Sequence, residues 1–122
     1  MSKMLDKALS VAKEIPYERG KQRVAAIVTD KRGRILAART NCYTKTHPLQ
    51  KEYAVMSGNP HRQCLHAELA TIIAGQRIGK IHSIYVARSS KSGYHLPSKP
   101  CPVCQIAIRE AGIENVYYVG DE

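Results

Sequence analysis

The order in which helical and strand-like segments alternate is the feature that most limits the folds open to this chain. Apolar residues recur in helical or strand patterns over segments 5–15 (helix), 24–28 and 35–38 (strands), 65–74 (helix), 81–86 (strand), 103–111 (helix) and 116–119 (strand). Asp30-Lys31-Arg32-Gly33 between the first two strands predicts a hairpin turn. Gly75 after the second helix predicts a left-handed cap. The order α-β-β-α-β-α-β predicts an α/β fold, a mixed β-sheet with helices packed on its faces.

The length of 122 residues suits one compact domain spanning 1–122. No apolar run approaches the roughly 20 residues of a membrane-spanning helix, and the first residues lack a signal-peptide core. We therefore expect a cytoplasmic protein that does not contact membranes. In a reducing compartment, the four cysteines predict metal ligands or small buried residues rather than disulfides.

The chain carries a formal net charge of +9. This excess suits an anionic partner such as a phosphorylated small molecule or a nucleic acid, and it equally serves solubility. The basic residues form no block of five or more, so charge alone does not choose among these roles.

Two predicted helix starts carry residues that can bind a metal ion or transfer protons. His66-Ala67-Glu68 begins one helix, and Pro100-Cys101-Pro102-Val103-Cys104 begins another. Cys101 and Cys104 are three residues apart, so one helical face presents both thiols to the same ion. His66 and Glu68 are two apart and converge on one site only at a helix start. Two thiolates and one imidazole suit zinc and leave its fourth tetrahedral position open, which is the arrangement of a catalytic site.

Zinc lowers the pKa of water toward roughly 7 and so supplies hydroxide at neutral pH. A carboxylate that does not bind the metal, Glu68, is then available to carry protons. Each motif also has a simpler interpretation: a lone C-x-x-C occurs in structural zinc half-sites and in redox pairs. The position of Cys101, two residues after Lys99 rather than after a first strand, argues against a thioredoxin-like pair.

The combination H-x-E followed by P-C-x-x-C resembles the signature of zinc deaminases. From residue 24 to 119 the chain is similar to the cytidine and deoxycytidylate deaminase superfamily in the order of motifs, strands and helices. This resemblance implies that His66, Cys101 and Cys104 bind Zn²⁺ and that Glu68 is the catalytic proton shuttle. It further implies that Asn41, at the end of the second strand, contacts the sugar, with Ala67 as a second substrate contact. Segment 111–118 resembles the corresponding part of deoxycytidylate deaminases.

Three functions remain open at this point. The first is a zinc-dependent hydrolase that deaminates a cytosine nucleotide, preferably deoxycytidylate, and releases ammonia. The second is a deaminase acting on cytosine or adenine in single-stranded DNA or RNA. The third is a non-catalytic zinc module that binds nucleic acid, against which the presence of Glu68 argues. The partners expected are a small nucleotide, single-stranded nucleic acid as the alternative, and a second copy of the chain in a homo-oligomer.

Two long connections, near residues 42–62 and 89–100, exceed the usual loop length and suggest lids over the site. Cys42, His47, His61 and Cys64 lie in or beside the first of them, and Cys42, His61 and Cys64 in particular would suit a second, structural zinc site. The alternative is that Cys64 is a small buried residue and the histidines are solvated.

Overall fold

The computed structural model describes residues 3–19, 21–41, 48–58 and 66–120. Its elements in chain order are α1 (Lys3–Lys13), β1 (Arg23–Thr29), β2 (Ile35–Thr40), α2 (Pro48–Met56), α3 (Ala67–Gln76), β3 (Ser83–Ser89), β4 (His95–Leu96), α4 (Pro102–Glu110) and β5 (Asn115–Tyr118). The predicted α/β class is confirmed. Helix α2 and strand β4 are additions, and both fall inside the connections that the sequence suggested were lids.

The sheet is mixed, as predicted. Strand β1 pairs antiparallel with β2 through the hairpin turn and antiparallel with β3 on its other side. Strand β5 runs parallel to β3, because the chain crosses from β3 to β5 through α4. The short β4 pairs antiparallel with the last residues of β3.

Alternating side chains of the central strands face two helical layers. Ala26 and Val28 of β1 and Val86 of β3 belong to the core that α3 and α4 cover. Ile27 and Ala87, which point the other way, pack against α1. This alternation follows from the two-residue period of a strand and places α1 on the face opposite α3 and α4.

One end of the sheet gathers the segments that lead to both motifs. Arg23 at the start of β1 pairs with Ser89 at the end of β3, and Thr40 at the end of β2 pairs with Ala25. The chain therefore leaves β2 and β3 at this end, which we call the site end. The buried Arg23 guanidinium donates hydrogen bonds to the Ile15 carbonyl and to Ser89 Oγ, both at 3.1 Å. These bonds tie the segment after α1 to the site end.

The left-handed cap predicted at Gly75 is wrong. Helix α3 continues to Gln76, its C-cap Arg77 is right-handed, and Gly75 has no positive φ. A Cβ atom at Gly75 would lie 2.5 Å from Val28 Cγ2, so glycine at this position permits close packing of α3 on β1. Left-handed glycines occur instead at Gly33 in the hairpin turn and at Gly112 after α4.

No helix within the described ranges is long and apolar enough to span a bilayer.

Candidate metal centre and active site

His66 is the N-cap of α3. Its backbone is extended, with φ −79° and ψ 154°, and its side chain makes no capping hydrogen bond. The imidazole is therefore not committed to the helix end, while the His66 carbonyl accepts the Ala70 N–H at 3.0 Å. Glu68 is the second residue of α3. The structure thus places both residues at the helix start, which the sequence argument required.

Cys101 is the N-cap of α4, and Pro102 follows as the first helical residue. Proline suits this position because its fixed φ is helical and its missing N–H would have had no partner. The side chain of an N-cap residue lies over the third helical residue, which here is Cys104. The C-x-x-C spacing therefore brings both sulfur atoms to the same side of the helix start.

The two helix starts meet. His66 Nδ1 lies 3.2 Å from Cys104 Sγ and 3.4 Å from Cys101 Sγ, and all three ligand atoms lie within 4.8 Å of one another. In tetrahedral zinc sites with bonds of roughly 2.0–2.3 Å, neighbouring ligand atoms are roughly 3.5–3.8 Å apart. The distances in this structure are close to that, and the donor set is one that zinc prefers, so the residues fit Zn²⁺.

The two thiols hold a proton unequally. A hydrogen bond from Cys104 is the largest of the effects that lower the pKa of Cys101 to about 4. The same shared proton, together with burial, raises the pKa of Cys104 well above its ordinary value. A thiolate beside a thiol is a pair from which a soft divalent cation displaces the remaining proton, because metal binding requires deprotonated sulfur.

Glu68 is buried beside these sulfurs, with 6% of its surface exposed. Burial raises the pKa of its carboxyl group, and hydrogen bonds from its own backbone N–H and from Cys104 partly oppose that rise. A carboxyl group that holds its proton more tightly than usual is suited to alternate between acid and base.

Asn41 lies at the site end, directly after β2. Its Oδ1 accepts the Val24 N–H at 3.0 Å, and its Nδ2 donates to the Gln22 carbonyl at 3.1 Å. Each amide atom retains one further donor or acceptor position for another partner. Ala67 is fully buried, and because its side chain is a methyl group, any hydrogen bond from this residue to a substrate would come from its backbone.

One further residue at this site was not predicted from the sequence. Gln50 of α2 is fully buried, and its Oε1 accepts the backbone N–H of His66 at 3.3 Å. No spacing rule in the sequence connects these two residues. Cys42, His61 and Cys64, the residues of the predicted second zinc site, lie outside the described residues.

The model of a protein family, the cytidine and deoxycytidylate deaminase zinc-binding region, matches residues 1–120 of this chain. The chain belongs to the cytidine and deoxycytidylate deaminase family. The resemblance stated from H-x-E and P-C-x-x-C is thereby confirmed.

The fold agrees with this family. A crystal structure of a glutamate-to-glutamine mutant of cytidine deaminase from Mycobacterium tuberculosis is similar, with a TM-score of 0.57 and 19% sequence identity. The match covers 93% of this chain and 80% of that chain. No curated protein matches the sequence significantly. Family and fold together support zinc-dependent deamination of a nucleoside or nucleotide as the general chemistry, and the family with the His66, Cys101 and Cys104 cluster supports Zn²⁺ as the cofactor.

Proposed function

We propose that this deaminase hydrolyses the exocyclic amine of a cytosine mononucleotide, preferably deoxycytidylate, and acts more weakly on the unphosphorylated nucleoside. The observation that carries the proposal is a buried carboxyl group, Glu68, beside a histidine and two cysteines that suit zinc. A purely structural zinc site has no use for such a group.

Zinc bound by His66, Cys101 and Cys104 would supply a Lewis acid that makes water nucleophilic near neutral pH. Glu68 takes a proton from the water whose oxygen adds to the ring carbon bearing the amine. It delivers that proton to the adjacent ring nitrogen. Glu68 then takes the remaining proton from the added hydroxyl group and gives it to the amine, which leaves as ammonia while a carbonyl remains.

Asn41 is proposed to hold the sugar through the amide positions that its backbone hydrogen bonds leave available. Ala67 is proposed to contribute its backbone N–H, because the first N–H groups of a helix have no partner inside the helix. The positive end of the α3 dipole also favours partial negative charge on a substrate at this place.

A mononucleotide is proposed over a polynucleotide because the chain has few of the usual features that bind successive bases. Seven tyrosines are its only aromatic residues of the Phe, Trp and Tyr class, and its basic residues form no continuous run. Single-strand binders typically combine a basic groove with several stacking aromatic side chains.

The test is turnover by the zinc-loaded protein on cytidine, deoxycytidine, their monophosphates and single-stranded oligonucleotides, followed by ammonia release and product mass. We expect the monophosphates to react fastest. Rapid turnover of an oligonucleotide, without turnover of any mononucleotide, would establish the polynucleotide alternative instead. In that case the log of the affinity should fall against the log of the salt concentration with a slope of roughly −0.7 per phosphate neutralised.

The role of Glu68 is tested by Glu68→Gln, which we expect to keep zinc and to lose a factor of about 10²–10⁴ in turnover. Glu110→Gln, which removes an exposed carboxylate at the far end of α4, is the matched control and is expected to react like wild type. Activity of Glu68→Gln within about tenfold of wild type would contradict the mechanism.

A further inference from the structure

Gln50 is an unusual residue for its surroundings. It lies in the first turn of α2, it is completely buried, and it is among the largest fully buried side chains of the described residues. Leu49 and Tyr53 of the same helix pack against the core that α3 and α4 cover. Burying a glutamine side chain in such a place costs free energy, because its amide loses its contacts with water, and only hydrogen bonds recover that cost.

The hydrogen bond that the structure shows leads to the metal centre. Gln50 Oε1 lies 3.3 Å from the backbone nitrogen of His66. A backbone N–H is only a donor, so the acceptor has to be the oxygen of the amide, and the orientation of the Gln50 side chain at this contact is determined.

This bond completes the restraint of His66 along the backbone. On the C-terminal side, the His66 carbonyl accepts the Ala70 N–H at 3.0 Å as the first bond of α3. On the N-terminal side, the N–H is held by Gln50. Together the two bonds restrain both peptide groups of a residue whose own side chain makes no capping bond, and they thereby aim its imidazole at Cys101 and Cys104.

Helix α2 also packs against α4, the helix that carries both cysteines. It therefore touches both of the segments whose separation fixes the size of the metal centre. Movement of α2 would change the position of His66 relative to the two sulfur atoms.

We propose that Gln50 is a positioning residue, which holds the zinc ligand His66 through its backbone N–H and so sets the affinity and geometry of the metal centre. The inference rests on the part of the proposed function in which His66 binds the metal. It assigns no contact between Gln50 and the substrate or the zinc ion.

The test uses two variants of Gln50 and one control. Gln50→Met has a similar size and no acceptor oxygen, whereas Gln50→Glu keeps an acceptor oxygen whether its carboxyl group is ionised or neutral. Lys51→Met introduces the same methionine at the exposed neighbouring position. The zinc dissociation constant is measured by competition with a chelator, and the visible spectrum of the Co²⁺-substituted protein reports the ligand geometry.

We expect Gln50→Met to bind zinc about 10–100-fold more weakly and to change the Co²⁺ spectrum, as for other residues that orient metal ligands. Gln50→Glu should restore most of the affinity, and Lys51→Met should match wild type. If Gln50→Met fails to fold, Gln50→Asn, whose amide is withdrawn by one methylene group, replaces it with the same expectation.

Zinc affinity and a Co²⁺ spectrum of Gln50→Met equal to those of Lys51→Met would overturn the proposal. His66→Ala separates this failure from failure of the proposed function. If His66→Ala loses zinc while Gln50→Met retains it, only the role of Gln50 is wrong. If His66→Ala retains zinc at wild-type affinity, the metal centre itself is wrongly assigned.

Discussion

At the scale of single residues, burial of Glu68 suits it to proton transfer and lowers the stability of the folded protein. Glu68 is almost completely enclosed, and loss of water around its carboxylate is the largest of the effects that raise its pKa. The folded protein therefore holds the proton of Glu68 more tightly than the unfolded chain does. The ionised form that a general base needs is obtained at the expense of stability.

The metal-free protein should show this expense directly. A raised folded-state pKa contributes stability that is present below the ordinary value of 4.5 and is lost as pH rises through the folded value. Glu68→Gln cannot ionise, so we expect it to melt at a higher temperature than wild type at neutral pH. The difference in melting temperature should vanish at a pH below the ordinary pKa of the carboxyl group. Thermal unfolding of both metal-free proteins across this range is the measurement, and a difference independent of pH would contradict the argument.

Asn41 combines a visible structural role with a proposed contact to the sugar. Asn41→Ala leaves the Val24 N–H without its acceptor, which should cost about 1 kcal/mol. We also expect its KM for the best substrate to rise while its zinc content stays the same. Asn41→Asp keeps the acceptor and should cost less stability. Unchanged kinetics in both variants would remove Asn41 from the substrate site.

The meeting of His66, Cys101 and Cys104 beside Glu68 was predictable from the sequence because the positions of these residues follow from local rules. A helix start allows residues two apart to converge, and an N-cap with a residue three positions later forms a chelating pair. Gln50 follows no such rule. Its partner is a backbone atom distant in sequence, and a backbone N–H leaves no mark in the sequence.

At the scale of elements, α2 was missed because its apolar residues do not keep to one face. Leu49, Tyr53 and Ala54 face the core beside the buried polar Gln50, whereas the apolar Val55 and Met56 are exposed. A helix with apolar residues on both faces gives only a weak periodic signal in the sequence. Strand β4 has only two residues, which is too short for any alternation to be read.

The close contact between α3 and β1 is a second feature at the scale of elements that could not be predicted from the sequence. A glycine near a helix end ordinarily indicates a left-handed cap, but Gly75 instead leaves room for Val28. The distinction depends on the distance between two elements far apart in the chain, and propensity rules contain no such distance.

We expect Gly75→Ala to destabilise the protein by about 1–2 kcal/mol, because overpacking outweighs the gain in helix propensity. Gly79→Ala is the matched control: its Cβ would meet Leu36 at an ordinary 3.6 Å, and the change should stay within about 0.5 kcal/mol. Urea unfolding of both variants measures the difference. Equal stability of the two would show that α3 shifts without cost.

At the scale of the whole molecule, some of the basic residues lie far from the candidate metal centre. A groove of about 700 Å³ lies at the end of the sheet opposite the site end, roughly 20 Å away along β1. Its lining includes four basic residues, Lys31, Arg32, Arg34 and Lys80, and two acidic ones, Asp30 and Glu114. Part of the +9 charge is therefore remote from the metal centre, and the total charge says little about the substrate.

The connections between the strands explain why the fold class was predictable. A hairpin and two crossovers leave few ways to arrange the strands, and in each arrangement the chain leaves β2 and β3 at the same end of the sheet. The order of the elements thus already implied where His66 and Cys101 would meet. The placement of α2 over that meeting point was not implied, because it depends on packing rather than on connectivity.

Joining His66 to Cys101 through a metal ion closes a loop of chain that contains all of β3, the strand paired with both β1 and β5. Amide hydrogens of β3 should therefore exchange with deuterium only after the ion is released. Helix α1 lies outside the loop on the opposite face, so it should open, and its amide hydrogens exchange, independently of the ion. We expect chelation to accelerate exchange in β3 strongly and in α1 hardly at all, as followed by mass spectrometry of peptides. Equal acceleration in both would mean that the ion holds the protein together as one cooperative unit.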